Sequence, residues 1–138
     1  MRLFPFLTLP QTLMLLRVAT AFIFFAHAAV RVSTGTMGQF GDFLNTKGLV
    51  YGHPMVWGIT AFELAGSMLL ALGYFVRALS AGFMVMLLIG IVLIHASLGW
   101  FVGEHGTGGS EYSFLLIMVL LVLAATAEKR PVSLPGKP

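Results

Sequence analysis

The chain has 138 residues, of which 58% are hydrophobic and only 9% are charged, and its net charge is +3. Its mean hydropathy is +0.94. A soluble domain of this size cannot bury so much apolar surface, so the composition indicates one integral membrane domain. The basic residues are scattered or terminal, which argues against nucleic-acid binding. Cysteine is absent, which excludes disulfides, thiol chemistry and cysteine-held iron–sulfur clusters in this chain.

Four apolar stretches predict transmembrane helices, each of which needs about 20 predominantly apolar residues to cross a bilayer core. The predicted helices cover about residues 12–32, 54–75, 78–98 and 111–127. A tail rich in Pro, Gly and Lys follows over residues 128–138. The sequence therefore predicts an all-α, single-domain protein that forms a four-helix membrane bundle.

The basic residues predict the orientation of this bundle. Five of them fall on one side of a four-helix topology, namely Arg2, Arg77, Lys129, Arg130 and Lys137. Lys47 falls on the other side with Arg31, which lies at the predicted end of helix 1, and with the acidic Asp42, Glu104 and Glu111. The excess of positive charge on cytoplasmic loops then places both termini and the turn between helices 2 and 3 in the cytoplasm. We expect a multi-pass protein of the inner or plasma membrane.

The first outer loop carries an amphipathic pattern. Phe40, Phe43 and Leu44 follow the i, i+3, i+4 spacing of one helix face, and polar residues lie between them. This pattern predicts a short helix that lies on the outer membrane interface.

Ionisable residues inside the apolar stretches are the candidate functional residues, since a charge in hydrocarbon is costly and is usually paired. On helix 1, Arg17, Thr20, His27 and Arg31 fall within an arc of about 80°. That arc must face other helices or a cavity. Glu63 on helix 2 supplies the opposite charge and is followed by small residues, which allow close approach or leave room for a ligand.

Depth in the membrane predicts which of these groups meet. Counted from the predicted helix ends, Arg17 and Glu63 both lie in the middle third of the membrane, which predicts an ion pair between them. His27 and His95 lie at similar depth in the outer leaflet, which predicts an outward-opening polar pocket above that pair. The predicted catalytic residues are Glu63 and His95, and the predicted ligand-binding residues are Arg17, His27, Trp100, Glu111 and Tyr112.

Each of these features also has a structural interpretation. The ion pair can serve simply to hold two helices together, and each histidine can satisfy a backbone carbonyl. Trp100 and Tyr112 lie where an aromatic belt is expected. No HExxH, GxSxG or di-iron motif is present, and no metal site is predicted. A haem or metal ion held by His27 and His95 fits the residue types but has no spacing signature and is not favoured.

With these residues in view, the chain resembles the DoxX family of small four-helix membrane proteins, from about Leu13 to Leu123. The resemblance rests on the order and spacing of several short motifs. They are Leu15-Leu16-Arg17 with His27 and Arg31, Glu63-Leu64-Ala65-Gly66 with Leu72-Gly73 and Arg77-Ala78, His95 with Gly99-Trp100-Phe101, and Gly109-Ser110-Glu111-Tyr112.

The resemblance implies a link to membrane redox chemistry, since the family takes its name from a subunit of a thiosulfate:quinone oxidoreductase. We therefore expect a membrane subunit of a quinone-linked oxidoreductase, whose pocket takes a quinone or another small redox ligand. The competing expectation is a non-catalytic anchor or assembly subunit, so whether the chain is an enzyme stays open. A transporter is disfavoured because no inverted repeat or broken helix is visible. The expected partners are membrane lipid and either a partner subunit or a second copy of the chain.

Overall fold

The computed structural model describes residues 6–102 and 108–127, and within these ranges every regular element is helical. The α-helices are α1 (Leu9–Ser33), α2 (Met37–Thr46), α3 (Gly52–Leu72), α4 (Val76–Gly90) and α5 (Glu111–Thr126). A π-helical turn (Ile91–His95) and a 3₁₀ turn (Ala96–Leu98) continue α4. The all-α prediction is confirmed. Arg2, Glu104 and the predicted tail, residues 128–138, lie outside the described residues.

The start of α1 is set by polar and proline residues. The backbone N–H of Thr8 donates to Oε1 of Gln11 at 2.9 Å. Pro10 lies in the first turn, where backbone N–H groups have no partner within the helix, so the N–H that proline lacks is not needed there. Helix α1 therefore begins at Leu9, three residues before the predicted limit. Its 25 residues rise about 37 Å, which exceeds a hydrocarbon core of about 30 Å.

The turn between α3 and α4 lies earlier than the sequence predicted. Helix α3 ends at Leu72 because Gly73 adopts the left-handed conformation, with φ 82°. The N–H of Gly73 donates to the carbonyl of Leu70 at 3.0 Å, which is a common way to end a helix. The apolar run continues to Phe75, so composition alone extended the predicted helix through this turn. Helix α4 then begins at Val76.

Helix α4 is irregular at its C-terminal end, where the sequence predicted one helix over residues 78–98. The α-helical part ends at Gly90 and is followed by the π-helical turn. A π turn changes the direction in which the following side chains point, and such turns are frequent at functional sites. His95 is the last residue of this turn.

Helix α2 packs on the start of α3. Gly41 and Gly52 bring the two backbones into close contact, because a side chain at Gly52 would meet the carbonyl oxygen of Gly41. The N–H of Gly52 donates to Oδ1 of Asn45 at 2.9 Å. The apolar face of the amphipathic pattern is covered, since Leu44 is buried and Phe40 and Phe43 are half-buried.

Two helix pairs form the bundle, and an aromatic cluster joins them. Helix α1 packs along α3 and α4 packs along α5, whereas α3 and α4 make few contacts although a short turn connects them. The ring of Phe83 on α4 lies 4.1 Å from that of Phe24 on α1 and 4.8 Å from that of Phe62 on α3, between centroids. Gly82 leaves room for this cluster, because a Cβ there would lie 2.7 Å from Cζ of Phe62.

Three segments of the described chain are long and apolar enough to cross a membrane: Leu9–Ser33, Gly52–Leu72 and Val76–His95. The chain is thus a membrane protein with several spans. Helix α5 is strongly apolar but has 16 residues, and these rise about 24 Å. The fourth crossing, by α5, and the position of the termini stay predictions.

Single cysteines at Lys47 and Gly136 test the number of crossings, because the chain contains no other cysteine. If α1, α3, α4 and α5 all cross, Lys47 faces the outside and Gly136 faces the cytoplasm, as the basic residues predict. We expect a membrane-impermeant maleimide to label Lys47→Cys in intact cells and Gly136→Cys only after permeabilisation. Labelling of both variants in intact cells would contradict the crossing by α5.

Candidate functional site

A buried ion pair joins the end of α1 to the middle of α3. Nη1 of Arg31 lies 2.6 Å from Oε2 of Glu63, and the two side chains are 15% and 5% exposed. The same nitrogen donates to Oγ1 of Thr60 at 2.9 Å. Thr60 and Glu63 lie three residues apart, so both face the guanidinium from one side of α3. Pairing lowers the cost of placing either charge in the apolar interior.

The short helix α2 also contacts this pair. The ring of Phe40 has its centroid 5.1 Å from Cζ of Arg31, which is within the range of a cation–π interaction. Arg31 is therefore surrounded by three helices: its own, α3 through Thr60 and Glu63, and α2 through Phe40.

The predicted ion pair between Arg17 and Glu63 is wrong. Arg17 and Arg31 are 14 residues apart on α1, which is about 21 Å along the helix axis. Glu63 can therefore contact one of them, and it contacts Arg31. The prediction estimated the membrane depth of each residue from the expected helix ends and matched Glu63 with Arg17, near the middle of helix 1. In the structure, Glu63 lies beside the C-terminal end of α1, where Arg31 is located.

Arg17 lies beside the turn between α3 and α4. A Cβ at Gly73 would lie 3.0 Å from Nη1 of Arg17. Its Nε is buried and has no hydrogen-bond partner among the described residues. With Arg77, it lines a cavity of about 820 Å³, which we call the turn cavity. Arg17 is therefore remote from the other predicted site residues.

A second cavity, of about 580 Å³, lies between the helix pairs at the end of the bundle that carries α2. We call it the central cavity. Its walls are mostly apolar and come from all five helices, and Phe24 and Phe62 of the aromatic cluster are among them. The polar side chains in its lining are those of His27, Arg31, Glu63, His95, Tyr112 and Ser113. The structure thus brings four predicted site residues to one cavity, and it adds Arg31 and Ser113.

His95 has a buried side-chain nitrogen at this cavity that the described residues leave without a partner. Its Nδ1 is buried and has no hydrogen-bond partner within the part of the chain that the structure describes. Leaving a buried polar atom without a partner costs about 1–3 kcal/mol. A ligand that forms a hydrogen bond to Nδ1 from the central cavity would remove that cost. The π-helical turn places His95 at this position, and no feature of the sequence indicated that turn.

Two predicted site residues, Trp100 and Glu111, are not in the cavity lining. The ring of Trp100 packs against that of Phe114, with 5.6 Å between centroids. Oε1 of Glu111 accepts a hydrogen bond from the backbone N–H of Val102 at 2.9 Å. Both side chains therefore attach the segment that follows α4 to the start of α5.

Sequence reasoning missed the partner of Glu63. It places Arg31 at a helix end and gives it no contact, and it does not mention Thr60. The signal that was available is the i, i+3 spacing of Thr60 and Glu63, which puts a hydroxyl and a carboxylate on one helix face. Together with the polar arc of α1, that spacing indicates a guanidinium site.

The chemistry of the central cavity follows from its residue types. Within residues 6–102 and 108–127, no group of three or more His, Asp or Glu side chains could hold a metal ion. The cavity instead offers an imidazole, a phenol and a guanidinium–carboxylate pair in apolar surroundings. This combination suits a ligand with an apolar body and a few hydrogen-bonding oxygens.

Several apolar spans, a short helix at one end and a charged pair in the interior define a small α-helical membrane protein with a polar cavity. A family model described as DoxX matches residues 12–96, which is more than half of the chain. The chain therefore belongs to the DoxX family, a membrane family that is often associated with redox-related proteins. The matched range includes Arg31, Glu63 and His95. No curated protein and no solved structure matches the chain.

Removing either member of the ion pair should destabilise the protein strongly. We expect Arg31→Met and Glu63→Leu each to cost about 3–5 kcal/mol, because each leaves the other charge buried without a partner. The double variant should lose much less than the sum of the two. Circular dichroism, recorded during unfolding in one fixed detergent, measures the loss of stability of the two single variants and of the double variant.

Arg17→Met provides the control for this cycle, because Arg17 does not contact Glu63. Its effect should add to that of Glu63→Leu. Additive effects of Arg31→Met and Glu63→Leu would contradict the pair. So would coupling of Arg17 to Glu63 as strong as that of Arg31.

Proposed function

We propose that this protein is a membrane subunit of a quinone-linked oxidoreductase and that it binds the quinone ring in the central cavity. The observation that carries the proposal is the imidazole of His95, whose Nδ1 is buried without a described partner beside a largely apolar cavity. An oxygen on an apolar ring supplies such a partner. The subunit acts in the inner or plasma membrane, with both termini in the cytoplasm.

The volume and the walls of the cavity support a ring-shaped ligand. Its volume of about 580 Å³ lies within the range of about 300–1,000 Å³ that is typical of small-molecule sites. Ile59, Phe62, Val85 and Leu93 are among the side chains that line it, and they offer apolar surface to the faces of a ring. Because the bundle lies in lipid, a ligand with an alkyl tail can enter from the membrane.

Two polar groups on different helices support recognition of two oxygens. His95 belongs to the π-helical turn after α4, and Glu63 belongs to α3, beside Arg31 of α1. A ring that lies between these groups meets a hydrogen-bonding side chain toward each end. In this proposal the imidazole of His95 binds one oxygen and exchanges a proton with it, and Glu63 serves as the proton acceptor near the other. His27 and Tyr112 add further hydrogen-bonding groups to the lining.

The redox chemistry itself would belong to the ligand. When bound, a quinone supplies reversible two-electron chemistry that is coupled to protons. This chain contributes binding, orientation and proton exchange. Since it contains no cysteine for an iron–sulfur cluster, the two electrons that reduce the quinone would come from a partner subunit or directly from a substrate that is oxidised in the same step. The association of the DoxX family with redox-related proteins supports this assignment.

A non-catalytic anchor or assembly subunit is the second candidate function. The contact between Arg31 and Glu63 favours it, because each charge already has its partner and the pair can fix helix packing without a ligand. The two candidates differ at His95, since an anchor function gives no reason for a buried imidazole nitrogen that has no hydrogen-bond partner among the described residues.

Replacing His95 should weaken quinone binding and leave the fold intact. We expect His95→Ala to weaken the binding of a short-chain quinone at least about tenfold, because a hydrogen bond within an apolar site is lost. The measurement is a binding titration in lipid nanodiscs, together with mass spectrometry of quinone that co-purifies. Absorbance of the same samples reports haem, the alternative ligand of His27 and His95.

His53→Ala is the matched control, because His53 lies outside the central cavity and its Nε2 is 2.9 Å from Oδ1 of the exposed Asp42. This variant should bind quinone like the unchanged protein. Equal binding by His95→Ala and His53→Ala would contradict the proposed site. A folded, unchanged protein that binds no quinone would favour the anchor function.

A further inference from the structure

The turn cavity lies at the opposite end of the bundle from α2 and has no role in the proposed quinone site. Its volume is about 820 Å³, and the start of α1, the turn between α3 and α4 and the end of α5 line it. Arg17 and Arg77 are both in its lining, and the described lining contains no acidic side chain. Leu13, Val76 and Leu123 contribute apolar walls. Two positive charges therefore stand beside an apolar surface.

The backbone of the turn makes room for the guanidinium of Arg17. Gly73 has φ 82°, and a Cβ there would lie 3.0–3.1 Å from Nη1, Nη2 and Cζ of Arg17. The partial negative charge at the C-terminal end of α3 favours a cation at this point. Nε of Arg17 is nevertheless buried without a described hydrogen-bond partner. A buried N–H group without a partner can donate a hydrogen bond to an anion, and an anion with several oxygens can contact the whole guanidinium.

Arg77 provides a second, more accessible guanidinium at the same level. It lies in the first turn of α4 and is exposed. Its Nη2 donates to the carbonyl oxygen of Ala127 at 3.0 Å, which attaches the end of α5 beside the turn cavity. The two arginines thus approach the cavity from α1 and from α4.

We propose that the turn cavity binds the phosphate headgroup of an anionic glycerophospholipid. In the orientation predicted from the basic residues, this lipid belongs to the cytoplasmic leaflet. Arginine side chains match the charge and the paired oxygens of a phosphate diester. Basic pockets between transmembrane helices on the cytoplasmic side are a known setting for such headgroups.

The apolar surroundings favour a lipid over a soluble phosphate. Leu9 and Met14 of α1 line the turn cavity and are 71% and 55% exposed, so they offer surface on which acyl chains pack. A soluble phosphate would make no use of these walls. A lipid in this position would also connect α1, the α3–α4 turn and α5, and would therefore stabilise the bundle.

Thermal unfolding of the delipidated protein in a neutral detergent tests the proposal. We expect phosphatidylglycerol to raise the melting temperature by more than about 3 °C, because a ligand that binds the folded state stabilises it. Phosphatidylcholine, which has no net charge, should have little effect, and so should soluble glycerol 3-phosphate. An equal shift with phosphatidylcholine would overturn the proposal. A shift with glycerol 3-phosphate as large as that with phosphatidylglycerol would show a soluble phosphate site and would also overturn it.

Variants locate the effect at the two arginines. Arg17→Met and Arg77→Met should each weaken the affinity for phosphatidylglycerol at least about fivefold, measured by native mass spectrometry. Arg17→Lys should retain part of it, because the charge remains. Lys47→Met is the matched control, since it removes the same charge directly after α2, at the end of the bundle opposite the turn cavity. If Arg17→Met does not fold, the exposed Arg77 decides the outcome.

Two results with these variants would overturn the proposal. One is a loss of affinity in Lys47→Met equal to that in Arg77→Met, which would mean that lipid binding depends on the overall charge of the protein and not on the turn cavity. The other concerns Glu128, which follows Ala127 directly and lies outside the described residues. We expect Glu128→Gln to bind phosphatidylglycerol like the unchanged protein. Binding that appears only in Glu128→Gln would show that this carboxylate, and not a lipid, pairs with the arginines.

Discussion

The ion pair between Arg31 and Glu63 fixes the position of α1 along the axis of α3. Neither charge is tolerated alone among apolar side chains, so the helices are held where Nη1 and Oε2 meet at 2.6 Å. Small buried residues such as Ala28 and Ser67 allow the close approach that this contact needs. Phe40 of α2, a helix that Gly41, Gly52 and Asn45 attach to α3, lies over the same guanidinium. The ion pair thus contacts three helices and fixes two of them relative to each other.

The central cavity follows from the way in which the remaining helices are attached. Helix α4 packs along α5 and makes few contacts with α3, so space remains between the pairs beyond the aromatic cluster around Phe83. The charged pair forms one wall of this space, and the π-helical turn brings His95 to another. In our proposal, a ring with an oxygen at each end lies between the charged pair and the imidazole of His95 and exchanges protons with these groups. The proposed quinone site is therefore a consequence of the packing that the ion pair imposes.

The helical fold, the membrane location and the family could be predicted, because long apolar runs in lipid have few alternatives to helices. The polar arc of α1 was also readable from its spacing. The choice between Arg17 and Arg31 as the partner of Glu63 was not, since both lie on that arc and the answer depends on where α1 ends relative to α3. Trp100 and Glu111 were predicted to line the pocket because they lie at the same membrane depth as the two histidines. Their side chains instead attach the segment after α4 to the start of α5, a contact that the sequence does not specify. The π-helical turn depends on packing and has no local sequence signal.

Photoaffinity labelling tests most directly whether the cavity set by this ion pair is a quinone site. A quinone with a photoreactive group on its ring is irradiated with the protein in nanodiscs, and the modified peptides are identified by mass spectrometry. We predict labelling of residues in the central cavity, on the segment Ile91–His95 and near Tyr112, that an excess of unmodified quinone suppresses. Labelling that is spread over exposed lipid-facing residues such as Phe22 and Leu121, and that unmodified quinone does not suppress, would contradict the account.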